Sequence, residues 1–234
     1  MKFPLLVAAA SLLFKMAAVA AAPSPVGTWE VNLTGADQGI AYVTFEEDQD
    51  FTAYGISHKS NGLFTLSGTW AVDEKGKLTG SYTELINGTD VTGTITGKIG
   101  AQKLSGKILA DNGKFSFKGT REKVTQDLTS AWNGTAVLGK VRIPQTYQIT
   151  ASEIPHVFLV TGTGIHPTGG EFAITGTAIA GTKGRLRIHA LSEYPGSEVP
   201  GITNVAGKVN VTKTKGSLKG TESTGQKIKI LLKR

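Results

Sequence analysis

Hydrophobic and polar residues alternate along most of this chain. From Leu63 to Val72, the residues Phe64, Leu66, Gly68, Trp70 and Val72 share one phase, and Thr65, Ser67, Thr69 and Ala71 share the other. A period of two predicts an antiparallel strand with one face buried. The same phasing groups Leu78, Gly80 and Tyr82, then Val91, Gly93, Ile95, Gly97 and Ile99, then Leu104, Gly106 and Ile108, then Phe115 and Phe117. Thr, Ser and Lys fill the opposite faces. Glu74-Lys75-Gly76, Asn87-Gly88 and Asn112-Gly113 separate the runs with the residue types that tight hairpins need. Gly68, Gly80, Gly93, Gly97 and Gly106 all lie in the apolar phase. An inward glycine weakens a flat strand but permits sharp bending or close backbone approach. The pattern therefore predicts a strongly coiled sheet that closes on itself. Glycine also leaves room inside, either for a ligand or for Trp29, Phe64 and Trp70.

The pattern occurs twice. A shift of 108 residues aligns His58 with His166, Phe64 with Phe172, Gly68-Thr69 with Gly176-Thr177, and Leu78 with Leu186. Further on, a shift of 114 aligns Val91, Gly93, Leu104 and Gly106 with Val205, Gly207, Leu218 and Gly220. A period near 100 residues suits a duplicated domain rather than a solenoid unit. The expectation is an all-β protein of two tandem, duplicated, antiparallel up-and-down β-barrel-like units, or tight sandwiches, of about eight strands each. Residues 1–20 form a leader, 21–124 the first unit, 125–131 a linker and 132–234 the second unit. The stretch from Arg121 to Ser130 lacks alternation and has room for a helical turn or two. Tyr194 to Pro200 (YPGSEVP) reads as an inserted loop of the second unit.

Gly27-Thr28-Trp29, opening the first strand, resembles the G-x-W start of lipocalin-type barrels. Gly68-Thr69-Trp70 with Leu78-Thr79-Gly80-Ser81-Tyr82 resembles the strand–turn–strand phrasing of avidin-type barrels. The likeness to these calycin-like families covers ten to fifteen residues each time. It implies barrel shape, and shared architecture does not transfer activity. The second unit departs from both phrases: its Trp132 is followed by an Asn-Gly pair, and Ala178 stands where Trp70 does.

The leader reads as an export signal, with Lys2 ahead of an apolar run from Leu5 to Phe14 and the small residues Ala18-Val19-Ala20 at a cleavage site. A membrane anchor would need ~20 apolar residues, and Lys15 interrupts this run. The expected location is outside the cell or in the periplasm, and the alanine-rich leader points to a bacterial source. The chain has no cysteine, which excludes disulfides, thiolate metal sites and cysteine nucleophiles. Net charge is +7, unevenly spread: residues 21–125 hold ten Lys/Arg against twelve Asp/Glu, and residues 126–234 hold thirteen against six. A basic half could meet an anionic polymer. The simpler reading is solvated lysines on outward strand faces, set against the acidic first half. No aromatic residues interleave with them as base stacking requires, so nucleic acid is not an expected partner. A membrane-spanning barrel is disfavoured by short strands and polar outward faces.

Candidate chemistry is sparse. His58 and His166 lie at matching places after the third strand of each unit, as rim residues able to grip a ligand or simply to hydrogen-bond a turn. With Trp29, Trp70 and Tyr82 they make up the candidate ligand-binding set. His156, Glu171, His189, Glu193 and Tyr194 lack the spacing that puts metal ligands on one strand face. The acidic tip Glu46 to Asp50 lacks the glycine and terminal glutamate of a calcium loop. Gly134 to Lys140 mimics a phosphate loop without the Ser/Thr or the helix. No catalytic set, metal site or cofactor is expected. Two readings remain open. One is a non-enzymatic binding module for a small apolar or amphipathic ligand at the barrel mouths. The other is a surface-interaction protein of the envelope with filled barrels and exposed edges.

Overall fold

The computed structural model describes residues 23–60, 62–86, 89–111 and 113–234; the leader expected over residues 1–20 lies outside them. Eight strands make the first barrel: β1 (Gly27–Gly35), β2 (Gly39–Phe45), β3 (Asp50–Ser57), β4 (Leu63–Val72), β5 (Lys77–Ile86), β6 (Thr89–Ile99), β7 (Lys103–Ala110) and β8 (Gly113–Arg121). Eight more make the second: β9 (Ser130–Leu138), β10 (Val141–Ala151), β11 (Val157–His166), β12 (Gly170–Gly181), β13 (Arg185–Glu193), β14 (Gly201–Asn210), β15 (Lys215–Glu222) and β16 (Lys227–Lys233). Each strand pairs antiparallel with its neighbours, and each sheet closes, β8 on β1 and β16 on β9. Closure corrects the expectation of exposed edges, because every strand edge is paired. Among the described residues the only helical segment is the turn Thr182–Gly184, so the stretch after Arg121 holds no helical turn.

The inward glycines have a packing reason. Phe51 faces Gly68, Phe64 faces Gly55, Tyr82 faces Gly93 and Phe117 faces Gly106 across neighbouring strands. In the second barrel Phe172 faces Gly164, and the Tyr147 ring lies over Gly134. A Cβ at Gly106 would stand 2.2 Å from the Thr96 carbonyl and 2.6 Å from the Phe117 ring, so neither backbone curvature nor ring placement tolerates one. Aromatic side chains thus fill the space that glycine opens. The lumen phase is mostly apolar, and the outer faces of β4 to β8 carry mostly Thr, Ser and Lys, the inverse of a lipid-facing barrel.

The floors of both barrels are built alike. Trp29 and Trp132, each third in its first strand, donate an indole hydrogen bond to the carbonyl four residues earlier, Pro25 at 2.7 Å and Leu128 at 3.0 Å. Arg121 lies 4.2 Å over the Trp29 ring and Arg234 lies 6.0 Å over Trp132. Arg121 also donates to the carbonyls of Ser24, Pro25 and Val26, tying the entering segment across the floor. Trp132 is thus the counterpart of Trp29, although its sequence phrase differs.

Strand pairing corrects the repeat in its second half. Leu78 pairs with Gly97, and its counterpart Leu186 pairs with Gly207, so Gly207 answers Gly97 and not Gly93. Glycine recurs at alternate inward positions there, so a slip of four residues preserves both phase and glycine content. The loop 194–200 replaces the short β5–β6 turn and the ends of its strands.

The barrels meet along outward residues of β2 and β3. Ile40, Tyr42 and Ile56 pack against Val157 and Ile179. The Tyr42 hydroxyl donates to the Ala180 carbonyl at 2.7 Å, and its ring stacks 4.2 Å from His156. Tyr54 donates to Pro155 at 3.0 Å. Glu30 is fully buried and accepts from the Thr182 amide at 2.8 Å and from the Arg185 guanidinium. Much of the remaining basic charge faces elsewhere. Lys208, Lys215, Lys219, Lys229 and Lys233 are exposed on the β14–β16 wall, with Lys215 opposite Lys233 and Lys219 opposite Lys229.

Candidate functional site

The first barrel is hollow. Its lumen holds a cavity of about 390 Å³. The wall is apolar: Val31, Leu33, Ala41, Val43, Phe45, Phe51, Leu66, Ile95, Leu104 and Phe117 line it, and the Trp29 floor closes it below. Polar groups gather at the other end, where Asp37, Ser57, Lys59, Ser60, Tyr82 and Glu84 line the mouth beside Phe64 and Phe115.

The loops fix most of these polar groups. Asp37 accepts from the Ser57 hydroxyl at 2.5 Å, from the Gln38 amide at 2.6 Å and from the Lys59 amide at 3.1 Å. Ser60 donates to the carbonyls of Ser57 and Gly62. Behind the rim stands the outer wall of the second barrel. Arg187 there is buried, its Nε without a hydrogen-bond partner among the described residues, and it faces the Asp37 charge. Glu84 is different. It lies in the inward phase of β5, follows Tyr82 towards the mouth and has no hydrogen-bond or ion-pair partner among the described residues. Burial, with the Asp37 charge adding to it, holds its carboxyl above the usual carboxylate range. Burial likewise pushes the Tyr82 phenol up to about 12, helped by Glu84 and Asp111.

The second barrel fills the same space, leaving about 20 Å³. Trp29 pairs with Val43, whereas Trp132 pairs with Tyr147. Tyr147 therefore stands where the first barrel has Val43, and Gln145 where it has Ala41. Tyr147 donates to the Gln145 side chain, so the buried polar pair is satisfied. Leu66 pairs with Glu84, whereas Ile174 pairs with Ser192, so the lumen carboxyl has a serine counterpart. Tyr194, from the longer loop, stacks on Phe172 at 4.5 Å over the mouth.

Of the residues singled out from sequence, Tyr82 lines the cavity. Trp29 is fully buried in the floor. Trp70 is half-buried below, edge-on to Phe45 and donating to the Asp50 carbonyl at 3.0 Å. His58 lies exposed in the mouth loop, where its amide donates to the Gln38 carbonyl at 2.7 Å. His166 ends β11, and its Nδ1 accepts from the Thr168 and Gly169 amides. Neither histidine is among the cavity-lining residues. His156 sits in the seam between barrels, and His189 hydrogen-bonds Asn204 at 2.8 Å. Among the described residues no group of three His, Asp or Glu could hold a metal ion. Sequence reasoning missed Glu84 and Val43. Glu84 carried a signal, a carboxylate continuing the apolar phase of Leu78, Gly80 and Tyr82. Val43 carried none by itself.

No protein-family model and no curated protein matches the chain. Among the solved structures similar to it are the following. A redesigned β-barrel, mFAP1, bound to DFHBI is 17% identical over 46% of this chain and 94% of its own, with a TM-score of 0.41. The Burkholderia oklahomensis agglutinin is 11% identical over 88% of this chain and 94% of its own, with a TM-score of 0.22. The Myxococcus xanthus hemagglutinin in complex with a3,a6-mannopentaose is 12% identical over 90% and 93%, with a TM-score of 0.20. At such scores these likenesses say nothing of a ligand.

Proposed function

We propose that the first barrel binds a small apolar or amphipathic molecule and that the second is its filled structural partner. The cavity of about 390 Å³ carries this reading. It falls in the range of about 300–1,000 Å³ typical of small-molecule sites, with apolar walls and a few polar groups at one end. The alternative, a surface-interaction protein with filled barrels, describes the second barrel alone. The reading includes export: the leader motif supports a mature chain starting at Ala21.

Filling the lumen as the second barrel does tests the binding. The double variant Ala41→Gln, Val43→Tyr should abolish saturable one-site binding of Nile red while leaving thermal stability equal or higher. Undiminished binding in the filled variant, or no saturable binding in the unaltered chain, would refute the assignment. Native mass spectrometry of protein from its own host should show both a retained small molecule and the mass of a chain beginning at Ala21.

A further inference from the structure

We propose that the polar end of the cavity's ligand is a protonated amine, received by the Glu84 carboxylate at the mouth of the first barrel. This rests on the ligand-binding reading above and names the chemistry of the occupant. Glu84 is the only acidic residue in the lumen phase of the first barrel's described strands; in the second, Glu222 continues the phase of Leu218 and Gly220 but accepts from the Thr224 hydroxyl at 2.9 Å.

Its neighbours at the rim are already engaged. Asp37 takes hydrogen bonds from Ser57, Gln38 and Lys59 and faces Arg187. Asp111 accepts from the Thr92 amide at 3.2 Å and from its hydroxyl at 3.1 Å. Lys59 lines the mouth, yet the ion pairs within 4.0 Å among the described residues are Glu122–His156 and Glu30–Arg185, so it does not neutralise Glu84. One carboxylate with unspent lone pairs therefore borders apolar space, a costly state without a partner.

A cation relieves that state. It forms a charge-assisted hydrogen bond with Glu84 in a partly water-excluded mouth and offsets the repulsion between Glu84 and Asp37. Tyr82, Phe64 and Phe115 line the same end, and an aromatic face turned to the headgroup favours a cation over an anion. A carboxylate ligand would instead add a further negative charge to the rim. The filled barrel offers no such site: its lumen is closed, Ser192 takes the register of Glu84, and its own inward carboxylate, Glu222, is already engaged by Thr224.

Calorimetric titration of the full chain with octylamine, octanol and octanoate at neutral pH tests this, because the three share one tail. Octylamine should bind at least about tenfold tighter than octanol, an advantage of about 1.4 kcal/mol, with octanoate weakest. Glu84→Gln should lower octylamine affinity about tenfold and leave octanol within about twofold. Glu84→Ser, the side chain the second barrel carries there, should do the same and covers a failure of the first variant to fold. Octanoate binding as tightly as octylamine, or an amine advantage surviving both variants, overturns the headgroup assignment while octanol binding keeps the cavity reading intact. Failure of all three probes overturns the cavity reading itself and this assignment with it.

Discussion

The two barrels share a strand order, a floor and a set of inward glycines, yet one is hollow and the other packed. The difference lies in few positions. Val43 and Ala41 in the first barrel answer to Tyr147 and Gln145 in the second. The loop carrying Tyr194 then covers what Tyr147 fills. At about 24 cal/mol per Å³ of cavity, a lumen of about 390 Å³ forgoes on the order of 9 kcal/mol of packing. That is an upper bound, since the mouth admits water. Whole domains are stable by only about 5–15 kcal/mol. The hollow barrel therefore depends on its other assets: the glycine–aromatic pairs, the tied floor and the seam with its packed neighbour.

The largest effect should come from making the packed barrel resemble the hollow one. Tyr147→Val removes a ring that lies in the lumen and leaves the Gln145 amide without its hydroxyl partner. We expect a loss of about 4 kcal/mol in equilibrium urea unfolding, by cavity formation and an unsatisfied buried group. A loss below about 1 kcal/mol would mean that the second barrel is not stabilised by filling.

Next comes the seam. Glu30 is fully buried while the Arg185 side chain is 31% exposed, so cutting Arg185 strands a charge that water cannot reach. Arg185→Ala should cost about 3 kcal/mol, the lower end for a broken buried pair because Arg185 is partly solvated. It should also split a single unfolding transition into two, with the hollow barrel melting first. One unchanged transition would show that the barrels do not support each other through this contact.

Much of the barrel architecture was legible in the sequence, because period-two alternation and inward glycines are local and each repeats. The β4 phase from Phe64 to Val72 is as the alternation predicts. The seam was legible only in part. Ile40-Ala41-Tyr42-Val43 is apolar in both phases, the mark of a strand covered on two faces, but what covers it comes from the start of β11 and the end of β12, more than a hundred residues away. Hollowness was not legible. It depends on which residue of β10 answers Val43, and that follows from ladder register, which glycine periodicity blurs by multiples of two. The site suffers similarly. Tyr82 and Glu84 share a readable phase, but whether that phase meets a packed core or open space is decided by Val43 and Ala41 two strands and more away. Trp29 and Trp70 are conspicuous in sequence because they are large, and that size is what seats them in the floor and lower wall.

The smallest effect, and the one that sharpens the contrast at the mouth, is the pH dependence of Glu84. Burial first and the Asp37 charge second raise its folded pKa above the unfolded value of about 4.3. A carboxyl raised in this way holds its proton more tightly when folded. Its favourable contribution is complete below the unfolded value and fades as pH rises through the folded one. Asp37, Lys59 and Asp111 are the charged groups around it, and Tyr82 stays neutral across this range. Glu84→Gln should therefore match the unaltered chain in melting temperature near pH 3.5 and exceed it increasingly towards pH 8, in the absence of ligand. Saturating octylamine should close or reverse that gap, since it restores a partner to the ionised carboxylate. A gap that is constant with pH, or that favours the unaltered chain at pH 8 without ligand, would show that Glu84 is already satisfied in the free barrel.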